Sequence, residues 1–391
     1  MGIVKLRREA SKWVESRVYT LYSKWIDRVE DARPGDWVEI YSWRDELLGY
    51  GFYEGTGAVG LRVLSWSDEF SDPEVIFNVK ILEAFKRRER IIRWGFYRLV
   101  NADGDGIPGL IIDVYNDIAV IQSSSIGIDR YLEEIGKILL KNGIVSRVYV
   151  KNDHRGRREA GLPSYKAWLY GEGDTTTIIN EGDVRFQVNV EKGQKTGFFI
   201  DHRINRMNIE EFAFGRVLDL FSYTGGFAIH LLNSGAEHAL LVDEDSYAIS
   251  EARNNLIMNE LLDKADLVNG RVEYILEELI RKGEKFDLII VDPPALIQSR
   301  ELYERGLAKY KSIYSSVFNL VRSGGFIFAS SCSYFLGREE FKNLLIEVAR
   351  ENNSQIRFVG SYWGISPDHI YRPVDRELDY LKCYLLEVER Y

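Results

Sequence analysis

Cysteine is almost missing from this chain. Among 391 residues there are 2 cysteines, Cys332 and Cys383, with 3 methionines and 5 histidines. Two thiols cannot build a disulfide framework, nor a zinc site of their own, so redox stapling and structural metal are both set aside. No run reaches the 18 or so apolar residues that a membrane-spanning helix needs. The amino-terminal stretch MGIVKLRREASKWVESR is charged and lacks the apolar core of a signal peptide. The expectation is a cytoplasmic protein without a membrane partner. What remains is ordinary for a folded chain, with 45% hydrophobic and 28% charged residues. The length is roughly two to three times that of a usual domain, so two or three packed units are expected.

The net charge is −9, which argues against indiscriminate coating of nucleic acid. The basic residues are nevertheless clustered. Lys5, Arg7, Arg8, Lys12, Arg17, Lys24 and Arg28 crowd the first 28 positions. Lys86, Arg87, Arg88, Arg90, Arg93 and Arg98 interleave with Phe85, Trp94 and Tyr97, and Lys151, Arg155, Arg157 and Arg158 surround His154. Such patches can neutralise phosphates while the remaining surface stays acidic. The competing reading is solvated helix faces.

Glycines at 49, 51, 55, 57 and 60 break short alternating strands, so residues 1–72 read as a small β-barrel. Residues 73–185 read as an α+β unit, with helical spacing over 79–98 followed by two strand-like runs. Within it, Asp103-Gly104-Asp105-Gly106 is expected to be turn chemistry, since Pro108 stands where a calcium loop needs its glycine. From residue 186 to 391 apolar strands alternate with helical stretches. Strands are expected at 216–221, 238–243, 286–292, 325–331 and 380–388, and a helix at 248–262. This is the pattern of an α/β, doubly wound, Rossmann-like sheet, whose ligands bind at the carboxyl ends of the strands.

The first of these strands runs into Asp219-Leu-Phe-Ser-Tyr223-Thr224-Gly225-Gly226. The dinucleotide spacing G-x-G-x-x-G is missing, which disfavours NAD. A carboxylate at the strand end suits a cationic head such as the amino group of S-adenosylmethionine, and Asp243, ending the next strand, suits ribose hydroxyls. The strand at 286–292 ends in Asp292-Pro293-Pro294, where two prolines stop pairing. Cys332 follows the strand at 325–331 and is expected on the ligand side, whereas Cys383 reads as core. A thiolate is the natural group to add to carbon 6 of cytosine and so activate carbon 5. Its ionisation needs a nearby cation, for which Lys195 and Arg203 are the candidates.

These features together resemble the class I methyltransferases with an N-terminal PUA domain that make 5-methylcytosine in large-subunit ribosomal RNA. The likeness spans nearly the whole chain and is carried by RLVNADGDGIPGLIIDVYND, by GQKTGFFIDHR at 193–203, by Asp-Pro-Pro, by Ser-Cys-Ser and by DHIYRPVDRELDYLKC at 368–383. The resemblance implies S-adenosylmethionine as methyl donor, ribosomal RNA as partner, a homodimer, and Cys332 as nucleophile with Asp292 against the base. It implies cofactor contacts from Gln194, Thr196, Phe198, Asp201 and Arg203, from Asp219, Phe221, Ser222, Tyr223, Thr224 and Gly225, and from Asp243 and Asp292, with no metal. The chain departs from the pattern at Pro294, where other RNA cytosine-C5 enzymes carry a cysteine, at His202, where glutamine is usual, and at Arg271, where related enzymes carry an acid. Two rivals stand beside this reading. One is methylation of a guanine nitrogen, which needs no nucleophile, and the other is a non-catalytic RNA-binding or assembly protein.

Overall fold

The computed structural model describes residues 1–55, 57–67, 71–91, 94–360 and 363–391. It divides the chain into two compact units, one of Met1–Ile179, Val188–Ile200 and Pro367–Leu378, the other of Asn180–Gln187, Asp201–Ser366 and Asp379–Tyr391. The two amino-terminal segments expected from sequence fall in one unit, and the expected division at 185/186 lies inside the strand Val184–Asn189.

The first unit contains two sheets. One has six strands in the order Thr20–Tyr22, Val59–Ser65, Leu47–Tyr53, Trp37–Tyr41, Gly2–Leu6 and Ile26–Glu30. Its glycines are required by close strand approach. A Cβ on Gly49 would lie 1.9 Å from Ser65 O, and one on Gly51 2.3 Å from Arg62 O. The other sheet has five strands, Tyr165–Tyr170, Arg147–Asn152, Ile118–Ser123, Leu110–Tyr115 and Phe96–Asn101. The helix expected over 79–98 spans Pro73–Arg88 instead. It starts early because Asp72 caps it, accepting from Glu74 N–H, with proline at the first position. Residues 96–98 belong to a strand. The sequence from 98 to 123 contributes three strands where two were expected.

Several basic residues of the expected RNA patches are interior. Arg88 is fully buried and pairs with both oxygens of Asp105 at 2.7 Å, and Arg98 pairs with Asp113 at 2.7 and 2.9 Å. Asp105, from the supposed calcium-like run, is therefore a structural anion in a 3-10 turn, Ala102–Asp105, closed by Gly106. Arg157 pairs with Asp129, and Lys151 donates to Gly193 O. Helices carry Arg88 and Arg157 and strands carry Arg98 and Lys151 against carboxylates or carbonyls, and a buried guanidinium persists only when so paired. Lys86, Arg87 and Arg90 stay exposed, Arg93 lies outside the described residues, and the first cluster stays largely at the surface.

The second unit is built on seven strands: β1 (Arg216–Leu220), β2 (His238–Asp243), β3 (Ala265–Asn269), β4 (Phe286–Val291), β5 (Val321–Ser331), β6 (Ser354–Val359) and β7 (Lys382–Arg390). Five helices follow in turn, α1 (Gly226–Asn233), α2 (Ser246–Met258), α3 (Val272–Lys282), α4 (Tyr303–Leu320) and α5 (Arg338–Glu351). The sheet order is β3-β2-β1-β4-β5-β7-β6, parallel except for β7, which runs against both neighbours. The expected strands are all present, and β3 and β6, short and half-polar at the edges, are additional. No helix among the described residues is long and apolar enough to cross a membrane.

A buried ionic cluster ties Asn180–Gln187 into this unit. Glu181 is 0% exposed and pairs with Arg206 at 2.5 and 2.9 Å and with His230 Nε2 at 3.0 Å, while His230 Nδ1 meets Glu210 at 2.5 Å. Burial raises the Glu181 carboxyl, yet Arg206 and His230 outweigh it and hold it down at about 2. Replacing Glu181 with Gln strands these cations, and thermal or urea unfolding is expected to show a loss of about 3–5 kcal/mol. Because the folded value is depressed, that contribution is present above the unfolded value near 4.5 and disappears as pH falls toward 2. A Glu181→Gln protein with wild-type stability at pH 7 contradicts this account.

Candidate active site

Strand order reverses between β1 and β4, since β1 leads outward to β2 and β3 before the chain returns to β4. In an open α/β sheet a crevice forms at the carboxyl ends on either side of such a reversal. Asp219 in β1, Asp243 ending β2 and Asp292 after β4 therefore converge on one end of the sheet. Asp219 is 1% exposed and its Oδ2 accepts the Ala228 N–H at 3.1 Å. Burial is the main cause that raises its carboxyl to about 8, with Asp292 and Asp243 adding repulsion.

The turn from β1 to α1 is locally strained. Phe221 and Tyr223 hold φ of 60° and 48°, and Gly225 holds 81°. The alternation is fixed by Ser222 N–H donating to Val242 O and Tyr223 N–H donating to Asp243 Oδ2 at 2.8 Å. Asp243 Oδ1 accepts Asp245 N–H, so one carboxylate pins both the turn and the start of α2. Among the described residues, Asp219 Oδ1, Ser222 Oγ and Thr224 Oγ1 are buried with no hydrogen-bond partner. Three such atoms in one turn leave polar valences for a polar, cation-bearing ligand.

Asp292 lies between two supports. Ser330 Oγ donates to its Oδ1, and His202 Nε2 lies 3.2 Å from the same oxygen. Asn205 orients that imidazole. Its Oδ1 accepts Gly364 N–H, and its amide nitrogen donates to Gly364 O at 2.8 Å and lies 3.0 Å from His202 Nδ1 and 3.5 Å from Cys383 Sγ. An amide nitrogen only donates, so in the tautomer that bonds to it Nδ1 accepts and Nε2–H points at Asp292. Burial presses the Asp292 carboxyl upward, but His202 and Ser330 together hold it below the ordinary carboxylate range. Cys332 follows β5, half-buried, with Sγ 3.7 Å from Pro293 O. Ser333 Oγ accepts Ile297 N–H, which binds the Asp-Pro-Pro loop to the cysteine turn.

Several of the remaining expected site residues have local partners. Gln194, Thr196 and Phe198 belong to the first unit. There the Thr196 hydroxyl donates to Asp113 Oδ2 at 2.6 Å and meets Tyr115 Oη at 2.8 Å, and Phe198 packs on Phe96. Asp201 Oδ2 accepts from Tyr380 Oη at 2.6 Å. Of the two cations expected beside the thiol, Arg203 is directed to another carboxylate. Lys195 is exposed in the first unit with its ammonium over Phe199, and Arg203 is buried with Nε 3.9 Å from Glu181. The cation at the cysteine turn is Lys382, which sequence reasoning passed over. The signal was available, since a lysine inside an apolar strand that is covered on both faces has to be paired or put to use.

Residues 146–368 match the family of S-adenosylmethionine-dependent methyltransferases, and residues 4–66 match a PUA-like domain. The chain belongs to this methyltransferase family. A Methanocaldococcus jannaschii protein provisionally named a ribosomal RNA large subunit methyltransferase is 36% identical over 91% of this chain and 90% of its own. The ribosomal RNA large subunit methyltransferase I of Aeromonas salmonicida is 34% identical over 84% and 85%. A solved protein from Streptococcus mutans, 22% identical, shares the fold with a TM-score of 0.84 over 99% of this chain and 100% of its own. A further solved methyltransferase, complexed with S-adenosylhomocysteine, gives 0.83 at 22% identity over 98% and 99%.

The enzyme depends on S-adenosylmethionine, and the unsatisfied atoms fit that group. Asp219 stays protonated near neutrality only while no cation faces it, and an ammonium beside it restores the carboxylate. Binding of S-adenosylhomocysteine, followed by calorimetry, is thus expected to release a proton at pH 7 and to tighten from pH 6 to 8. Asp219→Asn removes a charge-assisted bond of about 1.5–3 kcal/mol, a loss of tenfold or more in affinity. The ligand-free variant is expected to melt above wild type at pH 8, because a raised folded value costs stability as pH climbs from about 4 toward 8. Unchanged affinity in Asp219→Asn removes this carboxylate from the cofactor site.

Proposed function

We propose that this methyltransferase acts on large-subunit ribosomal RNA and methylates carbon 5 of a cytosine through a covalent adduct on Cys332. The observation that carries the reading is the Cys332 thiol on the turn after β5, joined through Pro293 O and Ser333 to the Asp292 loop. Methylation of a guanine nitrogen gives no use to a thiol there. The curated relatives named as large-subunit ribosomal RNA methyltransferases supply the substrate class.

S-adenosylmethionine supplies a methyl group activated on a sulfonium. The chain's residues prepare the acceptor. The Cys332 thiolate forms a bond to carbon 6, and the electrons of the 5,6 double bond move onto carbon 5 and are spread through the ring. Asp292, fixed by His202 and Ser330 as a carboxylate, accepts a hydrogen bond from the exocyclic amine of the base and positions the ring. Once carbon 5 carries the methyl group, its proton passes to water, the electrons of that C–H bond re-form the 5,6 double bond, and the S–C6 pair returns to sulfur as the thiolate. Asp219, Ser222 and Thr224 hold the polar end of the cofactor, and Asp243 its ribose.

RNA docking rests on the surface cluster of the six-stranded sheet. Arg8 and Arg44 lie over the half-exposed Trp43 ring at 5.4 and 4.6 Å, beside a pocket that Arg7 and Ser42 also line. An aromatic face flanked by guanidinium groups suits an unstacked nucleotide.

Unmodified ribosomal RNA incubated with the enzyme and isotope-labelled S-adenosylmethionine is expected to yield labelled 5-methylcytosine by nucleoside mass spectrometry. Cys332→Ala is expected to bind S-adenosylhomocysteine as wild type does and to lose methyl transfer by at least about a thousandfold. Label in a methylguanosine, or full activity in that variant, would falsify the covalent cytosine reading.

A further inference from the structure

A cysteine adds to a pyrimidine only as its thiolate, and the turn that holds Cys332 does not favour that form by itself. Its Sγ faces Pro293 O, a geometry in which the protonated thiol donates to a carbonyl. Ionisation at neutral pH therefore needs a positive charge that is held in place and not already spent.

Among the described residues, Arg338 and Lys382 border the turn. Arg338, at the start of α5, is spent, since it pairs with Asp379 at 2.6 Å and donates to Leu381 O. Lys382 is different. It opens β7 opposite Ser331, the last residue of β5, so the strand register puts it beside the residue that precedes Cys332. It is 3% exposed, and its ammonium donates to Ser333 O at 2.6 Å and Tyr380 O at 2.7 Å. Among the described residues it has only these carbonyl partners. Carbonyls orient the charge without cancelling it. The other titratable groups facing the turn are neutral or engaged: Tyr310, from α4, shares its hydroxyl with Ser331 and Ser333 and is pushed up to about 12 mainly by burial, and burial raises the Cys383 thiol well above its usual value. Asp292 is occupied by Ser330 and His202.

We propose that Lys382 is the positioning residue that keeps Cys332 ionised, its buried ammonium clamping the cysteine turn through Ser333 O and supplying positive charge there. The thiol proton goes to solvent, and the thiolate and ammonium then stand as a partly buried pair. The electrostatics are reciprocal: burial brings Lys382 down to about 8 against the opposing pull of negative charge on Cys332. Such a pair is stable together and costly to split. The inference rests on the covalent cytosine reading for its purpose, but its physical content is a property of the protein without RNA.

The test is the pH dependence of iodoacetamide alkylation of the full chain, read by mass spectrometry on the Cys332 peptide, with Cys383, buried at 3% exposure, as the unreactive internal control. The wild-type midpoint is expected about one unit or more below the 8.5 of a free thiol. Lys382→Gln keeps hydrogen-bond donors toward the carbonyls and drops only the charge, and its midpoint is expected to rise by about one unit or more. Lys382→Arg is expected to return most of the shift. In methyl transfer, the acid limb of the rate profile of Lys382→Gln moves to higher pH while KM for RNA stays put, a change that a purely structural lysine does not produce. A wild-type midpoint at or above about 8.5 overturns the proposal whether or not any variant folds. Equal midpoints in wild type and a folded Lys382→Gln also overturn it. The function is judged separately: label on another base with a depressed thiol midpoint defeats the cytosine reading and leaves the Lys382 assignment standing, whereas 5-methylcytosine with an ordinary thiol defeats the assignment alone.

Discussion

Three carboxylates at one end of a parallel sheet impose the constraint that organises the second unit. Asp219, Asp243 and Asp292 are brought together by the strand reversal and are partly or wholly removed from water, so they cannot all ionise without help. Each is handled differently. Asp243 is satisfied by backbone N–H groups, Asp292 by a serine and an imidazole, and Asp219 is left with a vacant oxygen and a raised affinity for its proton. The differences sort the three groups by role, because only the last has something to gain from a cationic ligand. The site is thus a place where the fold forgoes stability that a ligand returns.

The doubly wound sheet was legible because its strands are near-continuous apolar runs and its helices carry the longer period. Boundaries were less so. The helix at Pro73–Arg88 starts where Asp72 and Pro73 place it, a capping signal that outweighs the apolar spacing further along. The carboxylates and the cysteine could be found because strand ends are where such a fold does chemistry. What sequence spacing could not provide was the set of partners that reach a site from distant positions. Lys382, His202 and Ser330 act on Cys332 or Asp292 through antiparallel register or side-chain reach, and neither is a local property of the chain.

The basic clusters teach the converse lesson. Arg88, Arg98, Lys151 and Arg157 looked like phosphate binders in a linear reading, and each is buried against a carboxylate or a carbonyl. Sequence proximity of like charges says nothing about the strand that faces them. The cluster in the first 28 residues keeps its place at the surface together with exposed aromatic rings, and there the electrostatic argument for RNA survives.

The insertion of β7 between β5 and β6 has a consequence for how the molecule reaches its native state. Until β7 pairs, the outer edge of β5 is a row of open hydrogen-bonding groups, and β6, whose neighbour in the sheet is β7, has no strand to pair with. Non-local pairing of this kind is slow, and an exposed apolar edge invites pairing with another chain in the meantime. The same late strand delivers Lys382 to the cysteine turn. A nascent or partly unfolded chain therefore carries Cys332 without the nearby ammonium and with the acidity of an ordinary free thiol, and on the proposed role of Lys382 that acidity increases only when the sheet has closed.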